Sequence, residues 1–307
     1  MVTQQYLRPR SASETLDLLA EFGDDAKIVA GGQSLMVMLH EGLISPRVLI
    51  GLSGVAELAG ITTGGDAQAG GVERADGEAR DGGQAGTGGP ARIGALATHT
   101  QVLSHPGIRS AWPVLAEAER AVSSAQIRNR GTLCGNLAHA YPAADPPAAL
   151  LALDAELTLR SPRGTRRVPA GEFVLGPLTT VLDPDELLVA VTLPPPPAGA
   201  RYAYLKYALR PLDFAILGVA VRVAEDTEGR CRQVRVALNG AAGRPLRATS
   251  AERILEGAPA TTGPHLADAA DAAAGQSEPL DEVFESSAYR REMVRVYVRR
   301  ALERALL

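Results

Sequence analysis

Cysteine is nearly absent from this chain. Only two of its 307 residues are cysteines, Cys134 and Cys231, and neither belongs to a CxxC pair of the kind that ligates zinc. An iron–sulfur cluster ordinarily takes four thiolates, so the chain cannot hold one by itself. Long apolar runs are missing too. Nothing approaches the roughly 18 consecutive apolar residues of a transmembrane helix, and Met1 to Tyr6 have neither the basic nor the apolar region of a signal peptide. The expectation is a cytoplasmic protein without a membrane span. There is no excess of basic charge: a net charge of −4 and a pI near 5.8 give no field for a nucleic-acid backbone, so nucleic acid is not an expected partner. Spacing suggests neither a Ser-His-Asp triad nor a carboxylate pair. His40, His99, His105 and His265 stand apart from any carboxylate at ligand spacing and read as surface or satisfied core positions.

What is present is ample material for a core. With 46% hydrophobic and 21% charged residues, the chain is expected to form two domains or more. Ser11 and Glu14 make a capping-box pattern ahead of Leu16, Leu18, Leu19 and Phe22, with Gly23 as the stop, which predicts a helix. Residues 27–30 read as a short buried strand, 35–40 as a helical turn or two and 47–50 as the next strand, a unit that sets a loop at the carboxyl end of a strand. Residues 64–90 hold ten glycines, five acids and two arginines. Such a stretch cannot offset its own ordering entropy and predicts a flexible loop between two paired strands at 61–63 and 92–95. A helical segment is expected over 105–122, and 148–159 is apolar and then alternating. The prolines from Pro194 to Pro197 follow an apolar run at 187–193; they can neither enter a sheet interior nor continue a helix, and mark a linker. The expected domains are 1–193, in lobes of about 1–56 and 57–193, and 200–307. In the second domain 202–206, 214–223 and 233–239 read as strands or a strand-helix mixture. A final helix is expected at 288–306, its six arginines forming a solvated face or, as the lesser reading, a partner surface.

Two glycine-bearing loops carry the chemistry. Ala30-Gly31-Gly32-Gln33-Ser34-Leu35 follows a strand, and Gly131-Thr132-Leu133-Cys134-Gly135-Asn136-Leu137 lies about a hundred residues on. Glycine lets a backbone N–H approach a phosphate oxygen because no Cβ intervenes. Ser34 adds a hydroxyl, and the helix start after it adds partial positive charge. Alone, the first loop also reads as a plain structural turn. Two such loops suggest a ligand with two phosphates, held from both sides.

The second loop sits in a longer stretch, residues 126–145, with Arg128 and Arg130 before the turn and His139 and Asp145 after it. With the first loop, this stretch resembles the flavin-binding medium subunit of the molybdenum hydroxylases, the group of the carbon monoxide and xanthine dehydrogenases. The resemblance covers nearly the whole chain outside 64–90. It includes Tyr6-Leu7-Arg8-Pro9, Tyr202-Ala203-Tyr204-Leu205-Lys206 with Arg210 and Asp213 downstream, and the arginine-rich last helix. It implies an α+β fold: an FAD-binding domain of a small parallel βαβ lobe and a mixed or antiparallel lobe, then a C-terminal domain with a small antiparallel sheet and helices. FAD would lie in the crevice between the lobes.

The resemblance also implies the site. The FAD pyrophosphate would lie between Ile28, Val29, Ala30, Gly31, Gly32, Gln33, Ser34 and Leu35 on one side and Thr132, Gly135 and Asn136 on the other. Asp145 matches a carboxylate that accepts from a flavin N–H or a ribityl hydroxyl, and Leu188 a position whose backbone contacts the ring. Tyr204 matches an aromatic close to the isoalloxazine and reads equally as a core tyrosine. Lys206 matches a lysine near the N1/C2-carbonyl edge, where a cation stabilises the anionic reduced flavin. Asp213 reads as structural, and no residue is assigned as a catalytic acid, base or metal ligand. Cys134 stands where many relatives have glycine, and Gln33 where some have histidine. Iron–sulfur clusters of a small subunit would deliver electrons, a molybdenum-binding large subunit would oxidise the substrate, and an external acceptor would receive the electrons, in a heterotrimer. A self-contained flavin oxidase or dehydrogenase and a non-catalytic nucleotide-binding module are the other readings.

Overall fold

The computed structural model describes residues 4–64, 89–280 and 286–307. The body of the glycine-rich stretch therefore lies outside the described residues. The chain begins with β1 (Gln5–Leu7), α1 (Ala12–Phe22), β2 (Ala26–Val29), α2 (Leu35–His40) and β3 (Val48–Gly51). The three strands form a parallel sheet in the order β1-β3-β2. Ser11 caps α1 by accepting from the N–H of Glu14, as the sequence predicts. The Glu14 side chain accepts from Arg10 N rather than from the cap residue itself.

A second sheet takes β4 (Ile61–Thr62), β5 (Ala91–Gly94), β6 (Glu156–Ser161), β7 (Gly164–Pro169) and β10 (Leu187–Leu193) in the order β4-β5-β10-β6-β7, all antiparallel. Between β5 and β6 run α3 (His99–Ser104), α4 (Pro106–Ala111), α5 (Pro113–Ala121), α6 (Ala125–Arg128), α7 (Leu133–His139) and α8 (Asp145–Ala152). The short α9 (Ala170–Phe173) and the hairpin of β8 (Val174–Gly176) and β9 (Thr179–Thr180) follow β7. The helical segment expected at 105–122 is two helices, because Pro113 supplies no N–H to continue α4 and instead opens α5 at its first turn. Trp112, at the break, is buried, and its indole N–H donates to Pro194 O at 3.0 Å.

The last part holds a four-stranded antiparallel sheet of β11 (Arg201–Tyr207), β12 (Leu217–Glu225), β13 (Cys231–Asn239) and β14 (Leu246–Arg247), with α10 (Thr249–Leu255), α11 (Pro264–Gln276) and α12 (Ser287–Leu306). The strand-or-mixture reading resolves to strands, and Phe214 falls outside them, 61% exposed. The sheet is covered on both faces, which explains why β12 is buried along nearly its whole length. Ala203, Leu205 and Tyr207 pack with Val219, Val221 and α10–α12, whereas Tyr202, Tyr204, Ala220 and Ala237 join the N-terminal core. Alternation along β11 therefore sends Tyr204 and Lys206 toward α5 and α8. Asp154, just beyond α8, binds Arg222, Arg235 and Arg247 of this sheet at 2.7, 2.8 and 3.3 Å. The α12 arginines are not simply solvated: Arg304 reaches Glu117 of α5 at 2.6 Å, and Arg295 pairs with Asp271 and Glu292.

Candidate functional site

The two glycine loops touch. A Cβ on Gly31 would lie 2.1 Å from Arg130 O and 2.7 Å from Gly131 Cα, so the first loop rests directly on the Arg130–Gly131 peptide. Only the missing side chain permits that approach. Gly32 has φ of +72°, a left-handed conformation that turns the chain out of β2 into α2. Gln33 folds back, donating from Nε2 to Gly31 O at 3.0 Å, and Ser34 makes no cap bond with its hydroxyl. Ile28, Val29 and Ala30 lead into the loop, half-buried, and Leu35 opens α2.

In the second loop Thr132 caps α7 and its Oγ1 accepts from the N–H of Gly135 at 3.0 Å. That amide is therefore engaged within the chain, which differs from the free donor the sequence suggests. The need for glycine at 135 is steric, since a Cβ would lie 2.7 Å from Thr132 Oγ1. The Thr132 hydroxyl keeps its own proton to donate. Cys134 points away into the core, and burial pushes its thiol up to about 12. The cysteine side chain thus sits behind the loop, not on its ligand face. The helices α2 and α7 have only six and seven residues, so local amides and hydroxyls, not axial dipoles, are the donors here.

A small cleft opens beside this loop, lined by Val122, Ser123, Asn136, Ala144 and Asp145 and by Leu212, Asp213 and Phe214. Asn136 Oδ1 is buried at its edge with no hydrogen-bond partner among the described residues. An uncompensated buried amide oxygen costs free energy unless a ligand or water satisfies it. Asp213, read as structural from sequence, lines the cleft. Phe214 forms its lip and packs on Tyr141, ring centroids 4.5 Å apart; Tyr141 in turn stacks near His139. Burial lowers the pKa of His139, so its imidazole is neutral near pH 7.

Behind the cleft Asp145, Tyr204 and Lys206 form one buried group. Tyr204 OH donates to Asp145 Oδ1 at 2.7 Å, and Lys206 Nζ to Asp145 Oδ2 and Ala121 O, both at 2.9 Å. Lys206 is nearly closed to solvent, with only 11% of its side chain exposed. Burial raises the Asp145 pKa while Lys206 and Tyr204 oppose the rise. Burial, then the Asp145 charge, raises that of Tyr204 well above its ordinary value. Gly218, between Lys206 and Asn239 in register, makes room for this group: a Cβ there would lie 2.1 Å from Asn239 Oδ1 and 2.5 Å from Tyr204 OH. Leu188 is buried in β10, opposite Leu159, and is not among the residues lining the cleft. Gly218, Asn239 and the Arg130 carbonyl carry no motif, and sequence reasoning missed them. A glycine within the apolar run of β12 was the one signal for a close approach.

Residues 2–71 and 84–196 match the family model described as the FAD binding domain in molybdopterin dehydrogenase, and residues 202–305 match the CO dehydrogenase flavoprotein C-terminal domain. The chain belongs to the FAD-binding medium-subunit family of the molybdenum hydroxylases. Among the family's curated members, it is 35% identical to 6-hydroxypseudooxynicotine dehydrogenase complex subunit alpha of Paenarthrobacter nicotinovorans, over 98% of this chain and 94% of that protein. It is 33% identical to the carbon monoxide dehydrogenase medium chain of Hydrogenophaga pseudoflava, over 98% and 96%. Carbon monoxide dehydrogenase from that organism, in a form lacking the Mo-pyranopterin moiety, superposes with a TM-score of 0.87 at 34% identity, covering 98% of this chain and 96% of that chain. Quinoline 2-oxidoreductase from Pseudomonas putida 86 superposes with a TM-score of 0.85 at 30% identity, over 99% and 96%. The family's α+β architecture and its cofactor, FAD, are thus those of this chain.

The residues present fit that cofactor. Two loops in backbone contact offer hydroxyl and amide donors, an unsatisfied buried amide faces a cleft, and a buried ammonium lies behind it. Among the described residues no helix is long and apolar enough to cross a membrane.

Proposed function

We propose that the chain holds FAD between its two glycine loops and in the adjoining cleft, and serves as the electron-transferring flavoprotein subunit of a molybdenum hydroxylase. FAD, when bound, supplies the redox chemistry, accepting electrons one at a time from clusters and releasing them to an acceptor. The chain's own residues bind and orient it. Residues 28–35 with Thr132, Gly135 and Asn136 form the phosphate grip, Ser34 and Thr132 donating hydroxyl protons and the glycines allowing backbone approach. The Leu188 backbone, Tyr204 and Asp145 bound the ring end. Lys206, fixed by Asp145 and Ala121 O, would set an ammonium donor near the ring end, where it would favour negative charge on the reduced ring to the extent that Asp145 does not balance it. No side chain of the cleft is required as an acid or base.

Electrons come from iron–sulfur clusters of a small partner subunit, fed by a molybdenum-binding large subunit, and leave to an external acceptor; the assembly is cytoplasmic. The cysteine count supports this division, since two buried thiols cannot hold a cluster. The proline run 194–197 divides the chain into an FAD-binding domain, 1–193, and a C-terminal domain, 200–307. The contact of Gly31 with the Arg130–Gly131 peptide carries the proposal, because it sets two distant glycine loops side by side, as a grip on one pyrophosphate needs.

Purification of the chain, alone and with the proteins of its neighbouring reading frames, tests it. The expected result is an oxidised-flavin absorption spectrum at one FAD per chain and co-purification with a cluster-bearing partner. A flavin-free chain without such a partner overturns the proposal, and substrate turnover by the isolated chain replaces it with a self-contained flavoenzyme.

A further inference from the structure

The second loop rests on a buried histidine–carboxylate pair. Gly31 presses on the Arg130–Gly131 peptide, and the imidazole of His99 lies against Gly131. A Cβ on Gly131 would be 3.0 Å from His99 Cδ2 and 3.3 Å from Nε2. The His99 ring is fixed in turn: Nδ1 is 2.5 Å from Glu119 Oε2, and both residues are buried, Glu119 completely. The backbone repeats the arrangement. His99 N donates to Gly131 O at 3.0 Å and Leu133 N to Ala97 O at 3.2 Å, while Thr98 and Thr132 form an isolated antiparallel bridge. At the surface Thr100 Oγ1 donates to Asn129 Oδ1 at 2.7 Å. First loop, second loop, imidazole and carboxylate are therefore in successive contact; glycine at 31 is what permits the first approach, and a Cβ at 131 would crowd the imidazole.

We propose that His99, oriented by Glu119, is a positioning residue that sets the separation of the two phosphate-binding loops and thereby the affinity for FAD. This rests on the FAD-binding role proposed above. A phosphate grip made of backbone amides and short hydroxyls has no long side chain to adapt. An error of a few tenths of an ångström in loop spacing is thus passed to the donors directly. A buried carboxylate with one oxygen, Glu119 Oε1, lacking a partner among the described residues is an expensive way merely to fill a core. A hydrogen-bonded acceptor of fixed direction is what an imidazole needs to hold one ring orientation.

The test uses apoprotein titrated with FAD, with affinity read from flavin fluorescence and apoprotein stability from thermal unfolding. His99→Ala is expected to raise the Kd for FAD at least tenfold. His99→Asn keeps a donor for Glu119 but withdraws the ring from Gly131, and is the milder variant should the first not fold; it is expected to raise Kd several-fold. Glu119→Gln, which keeps the acceptor, is expected to stay within about threefold of wild type. Asp154→Asn, remote from the loops, serves as the stability control and is expected to bind FAD normally. Wild-type affinity in both His99 variants overturns the inference, as does a rise in Kd for Asp154→Asn equal to that of His99→Ala at matched loss of Tm. Absence of FAD binding by the wild-type chain sinks the FAD reading itself, a separate outcome.

Discussion

Lys206 and Asp145 meet in the interior at 2.9 Å, the ammonium from β11 and the carboxylate from the start of α8. Among the described residues neither has another charged partner of opposite sign within hydrogen-bond reach, and both are nearly closed to solvent. The pair joins the last sheet to the cleft wall. It is also the part of the candidate site where removal of one group leaves the other exposed to the full cost of burial.

Lys206→Met is therefore expected to destabilise the chain by about 3–5 kcal/mol near neutral pH, and to weaken FAD retention. The burial that raises the Asp145 pKa is then unopposed by the ammonium. A carboxylate with a raised folded pKa binds protons more readily when folded, so the variant's stability should fall as pH rises through and beyond the carboxylate range. Denaturant unfolding at pH 4.5 and pH 8, roughly the two sides of that range, checks it; equal losses at both values refute it.

Gly31→Ala puts a methyl where Arg130 O lies 2.1 Å away. The loops must separate, and FAD affinity is expected to fall at least about tenfold, equivalent to 1.4 kcal/mol, while far-UV circular dichroism stays that of the wild type. Full flavin content in the purified variant would show that loop contact is not needed for the grip.

Cys134→Gly is expected to leave flavin content unchanged, because the thiol points into the core and not at the ligand face. The variant should nevertheless lose about 2 kcal/mol of stability from the lost burial and from a glycine inside α7. In the native protein the thiol, pushed up to about 12 by burial, should resist a thiol reagent at pH 8 and react only on unfolding. Rapid labelling of folded protein contradicts this placement.

Asp154 gives a pH-dependent contribution of the opposite sign. Burial alone would raise its pKa, but hydrogen bonds from Arg235 and Arg222 hold it below the ordinary carboxylate value. A depressed carboxylate contributes stability that is present above the unfolded pKa and lost as pH falls through the folded one. Asp154→Asn should therefore unfold more easily than wild type above pH 5, roughly a unit clear of the carboxylate's ordinary range. The difference should shrink as acid protonates the wild-type carboxylate. Parallel stability curves down to the acid transition would exclude the effect.

Much of the architecture was legible because its determinants are local. The Ser11 cap and Gly23 stop of α1, the short strand before Gly31, the apolar runs of β10 and β12 and the periodic α12 each depend on residues a few positions apart. Pro113 could have been read as the break between α4 and α5, and the apolar character of its neighbours hid it. Phe214 looked like the start of a strand, yet stands at the cleft lip against Tyr141, a contact between positions too far apart for any periodicity to register. His99 was assigned no partner because its carboxylate, Glu119, sits on another helix twenty residues away.

The sequence by itself determined the local chemistry: glycines where the backbone must come close, hydroxyls beside them, too few thiols for a cluster, and a family signature that assigns FAD. Only the tertiary structure decided which of those groups face one another. Packing of separate elements pressed Gly31 onto Arg130–Gly131, placed His99 behind them, and turned Lys206 inward to Asp145. Those relations rest on contacts between residues 20 to about 100 positions apart, and such contacts form only when the burial of apolar surface by the whole fold offsets the entropy of bringing distant segments together.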